Sequence, residues 1–300
     1  MSTLPDALYS ELEEQPPSRW QRCSAACKRF LAQPLNAFSS GLTVALLLLA
    51  LLAPVLAPYP YDKIDPANGL QAPSFEHLMG TDQAGRDIFS RVLYGARTSL
   101  SIGIVTVLLG LIVGVFIGAV SGYVGSFVDE IIMRIVEIFM SIPGIVMALA
   151  LVSVLGPSPP FIVLALSIRR ITQFARVARA AVLSAKVEDY VTACRAVGMS
   201  DLRIVFRHIL PNCAGPIIVL ATVLLGNVIL IESTLSFLGM GIQEPTPSWG
   251  TMIAKGNEYL TFAPWISMFP GVFLFLTMIA FNLLGDGLRD HIDPRGGSVV

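Results

Sequence analysis

The composition of this 300-residue sequence is that of a membrane protein rather than a soluble domain. Hydrophobic residues make up 54% of the chain and charged residues only 14%, whereas about a quarter of the residues of a soluble domain are charged. The formal net charge of −1 gives no support to a nucleic-acid partner, which would require a basic surface. These values exclude an ordinary soluble enzyme.

Five long segments contain no Asp, Glu, Lys or Arg. Each is long enough for a membrane-spanning helix, which needs about 20 mainly apolar residues. The segment after Glu137 contains Gly156-Pro-Ser-Pro-Pro160, and these turn-forming residues divide it into two spans. The sequence therefore predicts an all-α membrane protein with six transmembrane helices, at about 38–57, 99–121, 131–155, 160–180, 213–236 and 265–285.

Lys and Arg residues set the orientation of such a chain because they are retained on the cytoplasmic side. If the predicted segments alternate, fifteen of the twenty Lys and Arg residues fall on the side of the two termini and five on the other. Both termini are therefore expected in the cytoplasm, and the acidic, proline-containing start of the chain is not typical of a cleaved signal peptide. The predicted division is a cytoplasmic leader at 1–37, a first helix with a periplasmic segment at 38–98, a five-helix core at 99–285 with a cytoplasmic loop at 186–212, and a cytoplasmic tail at 286–300.

The loop contains a charged, amphipathic stretch, Tyr190–Pro211, which is called the elbow below. Gly198 separates two short helices, since glycine adopts the backbone conformations that end a helix, and Pro211 cannot continue the second one. One side of the elbow is too apolar for water and the whole stretch is too polar for lipid, so we expect it to bind a groove in a protein. Four residues of the second helix recur at i, i+3, i+4 and i+7 and predict one apolar stripe: Leu202, Val205, Phe206 and Ile209.

The spacing of Ala193, Gly198 and the pair Leu210-Pro211 follows a known signature. The elbow resembles the cytoplasmic loop of permease subunits of bacterial binding-protein-dependent ABC importers, in which Glu-Ala-Ala precedes the glycine and Leu-Pro ends the loop. The residues on either side of Ala193 depart from Glu-Ala-Ala, so only the middle alanine is kept.

Further blocks extend the resemblance over nearly all of residues 35–294. The block from His77 to Arg97 is similar to one permease type of the dipeptide, oligopeptide and nickel importer family, the type with a cytoplasmic leader and a short first periplasmic segment. The stretches 235–250 and 281–294 are also similar to that family and follow in the same order.

This resemblance implies a type I ABC importer permease fold in the bacterial inner (cytoplasmic) membrane, with a cytoplasmic coupling helix in the elbow. It implies a homologous second permease subunit, two ABC ATPase subunits, a periplasmic or extracellular substrate-binding protein and membrane lipid as partners. The ATPases would bind ATP and Mg, so this chain is expected to bind no cofactor itself and to be no enzyme. The cargo stays open among dipeptides, longer peptides, nickel or metal chelates, and glutathione-like molecules.

The resemblance also implies that the elbow contacts the ATPase, since the family's loop docks into a cleft of that subunit. The residues expected at this contact are Tyr190, Ala193, Cys194, Gly198, Leu202, Val205, Phe206, Arg207, Ile209, Leu210 and Pro211.

Polar residues inside the predicted spans are candidates for the translocation pathway. Arg169 and Arg170 lie about 15 Å into the fourth span at 1.5 Å per residue, near mid-membrane, where a charge must face protein or water. We expect one of them to meet a carboxylate of the cargo; the alternative is a short or tilted helix whose arginines snorkel towards the cytoplasm. Asn227 and Glu232 in the fifth span are further candidates, with Glu232 about 30 Å along, at the periplasmic edge, where ionisation is cheap.

The second span carries glycines spaced four residues apart, which let another helix approach closely. That helix belongs either to the same chain or to a second permease subunit. The strip consists of Gly110, Gly114, Gly118 and Gly122.

The sequence contains no Walker motif, no His/Glu metal motif and no credible Ser–His–Asp set, and its three histidines and four cysteines are too scattered to predict a metal site. The alternative function is a self-sufficient ion-coupled secondary transporter, which needs acidic residues inside the membrane and usually an internal repeat. The sequence offers only Glu137 and Glu232, both towards an edge, and no visible repeat.

Overall fold

The structure of the chain, a computed structural model, describes Ala25 and residues 28–292. This part is built of helices and connecting turns, and it contains no strand beyond one isolated bridge between Thr81 and Asp87. Most of the leader expected at 1–37 and the end of the tail expected at 286–300 lie outside the described residues.

Long helices alternate with short ones along the described chain. Their bounds are α1 Pro34–Leu56, α2 Ile88–Val124, α3 Ser126–Ser141, α4 Gly144–Leu155, α5 Pro159–Ala185, α6 Asp189–Ala196, α7 Asp201–Ile204, α8 Leu210–Asn212, α9 Ala214–Phe237, α10 Trp249–Asn257 and α11 Trp265–Ile292. A 3₁₀ turn at Pro66–Asn68 and a π turn at Val205–Ile209 lie between them.

Four helices, α1, α2, α9 and α11, are long and apolar enough to cross a membrane. Helices α3 and α4 form a further apolar stretch that is bent by 87° at the break between them. Helix α5, with 27 residues, takes the place of the fourth predicted span and is more polar because it contains four arginines. The predicted all-α membrane architecture is confirmed, and the predicted spans correspond to α1, α2, the α3–α4 pair, α5, α9 and α11.

One predicted span is not a continuous helix, and another lies within a longer helix. The continuous helix expected over 131–155 breaks at Ile142 and Pro143, whose backbones are not helical, because a proline disfavours the helical conformation of the residue before it. The helix that contains the second predicted span begins earlier than that span, at Ile88. The Asp87 side chain accepts a hydrogen bond of 2.8 Å from the Ser90 backbone N–H and so caps the helix at this earlier point.

The most extensive contact between two helices is that of α2 with α5, and the glycine strip forms it. A Cβ atom on Gly110 or Gly118 would collide with α5, and one on Gly114 would lie 2.5 Å from a backbone oxygen of α5. A Cβ atom on Gly122 would lie 2.9 Å from the backbone oxygen of Arg179 in α5. Of the two alternatives for the strip, packing within the same chain is therefore the one observed, and it brings the two backbones close together.

At the end of α2 opposite the elbow, α10 folds back between the long helices. Trp249, its first residue, is completely buried. The indole N–H donates a hydrogen bond of 3.1 Å to the Val92 carbonyl, and the ring lies against Gly95. A Cβ atom at Gly95 would lie 3.2 Å from this ring, a tight contact, so the glycine favours the close approach of α10 to α2.

Candidate functional site

The elbow lies across the ends of α2 and α5. It consists of α6, a turn at Gly198 with a positive φ of 79°, α7, the π turn and α8. Val191, Ile204 and Ile209 are completely buried in an apolar cluster that these residues form with the ends of α2 and α5. The elbow is thus fixed to the helix bundle through an apolar base.

The second half of the elbow does not form the single apolar stripe that the sequence predicts. Val205 and Ile209 are buried, whereas Leu202 is 70% and Phe206 45% exposed. The reason is the π turn, in which the backbone N–H of the residue before Pro211 bonds to the carbonyl five residues back. Because proline cannot continue the α-helical pattern, the turn widens and a different set of residues shares a face.

The residues expected to contact the ATPase therefore divide into three groups. Exposed are Ala193, Gly198, Leu202, Phe206, Arg207 and Pro211; half-buried are Tyr190, Cys194 and Leu210; buried are Val205 and Ile209. Val197, which was not among them, adds an apolar side chain that is 78% exposed. We call the exposed apolar side chains of Val197, Leu202 and Phe206 together the apolar face of the elbow; the Phe206 ring also stacks on Phe116 of α2, with 6.3 Å between the ring centres. An apolar face on a fixed base is suited to enter a groove of another protein.

Arg170 is buried between α5 and α9 and does not snorkel. It is 3% exposed, and its guanidinium donates hydrogen bonds to the side-chain oxygens of Gln173 (2.7 Å) and Asn227 (2.8 Å). Its Cβ packs against Gly110 of α2. The sequence gives Arg170 and Asn227 as separate pathway candidates, and the structure joins them in one polar pair. The Asn227 side of this pair is exposed.

Arg169 points to the break between α3 and α4. Its guanidinium donates a hydrogen bond of 2.8 Å to the Met140 carbonyl, in the last turn of α3. The last carbonyls of a helix lack partners within that helix, and a positive charge beside them is favourable. The arginine is half-buried, and it caps the helix that Pro143 interrupts.

A groove of about 520 Å³ runs from Arg169 along α3 and α5 towards the elbow. Arg176 and Arg179 line it together with Glu137. Arg179 forms a bidentate ion pair of 2.5 Å with Asp129, which ties the start of α3 to α5. The groove has an excess of positive charge and suits an anionic group.

The sequence predicts that Glu232 lies at an edge of the membrane, where ionisation is cheap. The structure instead places its side chain out of contact with solvent. It is completely buried, and its carboxylate accepts hydrogen bonds from the hydroxyls of Ser236 (2.9 Å) and Ser99 (3.3 Å). The expectation is wrong because α10 folds back over this end of α9. The backbone N–H of Trp249 also donates to the Ser99 hydroxyl (3.3 Å), so the buried carboxylate connects α2, α9 and α10.

Sequence reasoning missed a cluster of charged residues at the end of α2 opposite the elbow. Arg86 pairs with Asp82 (2.6 Å) and Glu244 (2.9 Å), and Lys255 pairs with Glu244 (2.8 Å). Arg91 lies 3.7 Å from Asp82 and 3.5 Å from Glu244. We call these five residues the ion cluster. No local pattern reveals it, because it joins residues that are up to 158 positions apart in the chain.

The ion cluster changes the acidity of Glu244. Burial acts to raise the pKa of this carboxyl, but the hydrogen bonds from Lys255 and Arg86 and their charges outweigh that effect and lower the pKa to about 2. Glu244 is therefore held as a carboxylate that fastens the loop 238–248 to the segment 58–87. Among the described residues, His, Cys, Asp and Glu side chains nowhere form a group of three that could hold a metal ion.

Apolar helices around a glycine-packed pair, charged groups held within the bundle and an exposed elbow define an all-α membrane permease. Residues 110–296 match the family described as binding-protein-dependent transport system inner membrane component. Residues 18–73 match the N-terminal transmembrane domain of oligopeptide transport permease C. The chain belongs to the family of binding-protein-dependent transport system inner membrane components, and it is a permease subunit of an ABC importer.

Individual relatives cover most of the chain. The dipeptide transport system permease protein DppC of Alkalihalophilus pseudofirmus is 43% identical over 83% of this chain and 82% of its own length. The glutathione transport system permease protein GsiD of Salmonella typhimurium is 45% identical over 89% of both chains. The inward-facing MetNI methionine ABC transporter shares the fold, with a TM-score of 0.55 and 19% identity over 69% of this chain and 98% of the other. These matches give no support to the ion-coupled alternative.

Proposed function

We propose that this permease imports peptides or related small solutes, such as dipeptides, glutathione-like molecules or metal chelates. The two permease relatives named above are a dipeptide and a glutathione permease, which supports this cargo class. The chain forms half of the pathway, mainly through its core at 99–285, and a homologous second permease forms the other half. Two ABC ATPase subunits bind ATP and Mg, and a substrate-binding protein delivers the cargo. The bacterial inner membrane holds the complex, with both termini and the elbow in the cytoplasm.

The observation that carries this proposal is the exposed apolar face of the elbow on its buried base. Val197, Leu202 and Phe206 are 78%, 70% and 45% exposed, respectively, at a place that is too polar to lie in lipid. The elbow also carries three exposed arginines, Arg195, Arg203 and Arg207. We infer that the ATPase groove covers this face, so that movement of the ATPases moves the elbow and, through its base, α2 and α5.

The second part of the proposal concerns the pathway. Arg170 is held by the amide oxygens of Gln173 and Asn227, and it has no carboxylate partner within 28–292. Its positive charge near the middle of the bundle is therefore balanced by dipoles alone. A carboxylate of the cargo, bound beside the exposed Asn227, would neutralise the charge of Arg170. Arg169 and the groove that it lines extend the positively charged region towards the elbow.

The docking of the elbow is tested by Phe206→Asp and Leu202→Asp, each co-expressed with the partner subunits. A charge in the apolar face should reduce the ATPase that co-purifies with the permease by about 10-fold or more, as expected for a central interface residue. Phe75→Asp is the matched control, because Phe75 is 103% exposed on the segment 58–87, at the far end of α2. Unchanged ATPase recovery with both elbow variants would contradict the proposed contact.

A further inference from the structure

One residue at the elbow end of α2 contacts several parts of the elbow region at once. Tyr123 is 8% exposed, and its hydroxyl donates a hydrogen bond to the Asp201 carboxylate in α7. The ammonium group of Lys186, just after α5, donates to the Tyr123 carbonyl. The ring centre lies 5.4 Å from the Lys186 Nζ and 5.5 Å from the guanidinium of Arg195 in α6. Three segments that follow one another in the chain thus meet at a single side chain.

These contacts differ in kind from the apolar base of the elbow. Val191, Ile204 and Ile209 hold the elbow against the bundle through apolar contacts, and the attraction between apolar groups has no preferred direction. A hydrogen bond weakens steeply when it is misaligned, and a cation is attracted to the face of an aromatic ring within about 6 Å. Tyr123 therefore adds directional contacts between the elbow region and α2 to the apolar ones.

Helix α2 is suited to carry a displacement over a long distance. Its 37 residues correspond to about 55 Å at 1.5 Å per residue, which exceeds the roughly 30 Å of the hydrocarbon core. The glycine strip packs it against α5 at backbone distance. At its far end the helix contributes Arg91 to the ion cluster and a carbonyl to the Trp249 indole. A movement at Tyr123 therefore reaches the opposite end of the molecule through one continuous helix.

We propose that Tyr123 is a positioning residue that makes the elbow and α2 move as one body during the nucleotide cycle. This inference rests on the proposed contact of the elbow with the ATPases. It adds that the hydrogen bond to Asp201 and the cation contacts at the ring, rather than the apolar base alone, transmit the movement to α2.

The test uses the complete complex with its ATPase and binding-protein partners in proteoliposomes. Spin labels are placed at Ile112, which is 65% exposed on α2, and at Asp189, which is exposed on α6, after replacement of the native cysteines. In the permease that carries only the labels and the cysteine replacements, the distance between the labels should be the same without nucleotide and with trapped ATP. In Tyr123→Leu, trapped ATP should shift or broaden this distance while ATP hydrolysis continues.

Conservative variants separate the directional contacts from simple packing. Tyr123→Phe and Asp201→Leu each remove the hydrogen bond, and each should produce the same smaller shift, with no further increase in the double variant. Asp201→Asn keeps an acceptor oxygen and should behave as the unchanged chain. Tyr94→Phe makes the same chemical change near the other end of α2 and should have no effect.

Three results would overturn the inference. They are a nucleotide-dependent distance in the unchanged chain, a constant distance in Tyr123→Leu, and additive effects of Tyr123→Phe and Asp201→Leu. Failure of the proposed function looks different: ATPase subunits would not bind to the unchanged chain. If the ATPase is recovered bound and active but any of the three results is found, the proposed function stands and the role of Tyr123 is wrong.

Discussion

Arg169 and Arg170 are neighbours in the chain, but their positive charges are balanced in different ways. Arg169 is half-buried and lies beside the carbonyl end of α3, where a cation is favourable even without a carboxylate. Arg170 is buried, and its Nε–H has no hydrogen-bond partner in the described structure. A buried donor without a partner is costly, so Arg170 is the one of the two that gains more from an additional acceptor.

Glu244 permits a prediction about pH. Because the folded protein lowers the pKa of this carboxyl to about 2, below its ordinary value, the folded state favours the ionised form. Its stabilising contribution is complete above the ordinary pKa and is lost as the pH falls from about 5 towards about 2. The effect should be on the order of 1 kcal/mol, since the side chain is 30% exposed and solvent screens the ion pairs.

The measurement is the melting temperature of the detergent-solubilised protein over this pH range. Glu244→Gln should melt lower than the unchanged chain near neutral pH, because it loses the ion pairs. The difference between the two proteins should vanish as the pH falls, since the unchanged chain then becomes protonated at Glu244. A difference that stays constant with pH would contradict this role of Glu244.

At the scale of the helices, the contact of α2 with α5 depends on residues that lack a side chain. Gly118→Ala would place a Cβ atom against the Ala175 carbonyl and 2.9 Å from the Ala178 Cβ, and neither neighbour can rotate away. We expect a loss of about 1–3 kcal/mol, as for overpacked cores, measured as a lower melting temperature in detergent. Gly41→Ala in α1 is the control, because nothing lies within 4 Å of its added Cβ. Equal melting temperatures of the two variants would show that α2 and α5 are not in backbone contact.

The helices could be predicted from the sequence to different degrees. The apolar segments place α1, α2, α9 and α11 correctly because length without charge is what membrane crossing requires. The 87° bend in the third span is missed by that criterion, since Pro143 carries no charge. The burial of Glu232 depends on α10, and α10 is held in place by Trp249 through contacts with α2 about 150 residues earlier in the chain. Such contacts between distant residues leave no local pattern.

On the scale of the whole molecule, two structured ends are connected by closely packed helices. The elbow forms one end, and the ion cluster with the buried Glu232 carboxylate holds the other. Between them, the polar pair of Arg170 and Asn227 joins α5 to α9 through a hydrogen bond of 2.8 Å. In the proposed function, this pair is the place in the bundle where a charged cargo group would meet both helices at once.

Replacement of Arg170 therefore tests whether it lies in the proposed pathway. In Arg170→Leu we expect the initial uptake of a radiolabelled dipeptide into proteoliposomes to fall by about 10-fold or more, the loss typical of a hydrogen bond to a charged group, with unchanged recovery of the partner subunits. Arg170→Lys keeps the charge and should retain part of the uptake. The control is Arg134→Leu, because Arg134 is 71% exposed and pairs only with Glu137, at 3.4 Å, in the described structure. Uptake by Arg170→Leu equal to that of the control would show that the cargo passes without meeting this charge, since the pair of α5 and α9 would then be purely structural.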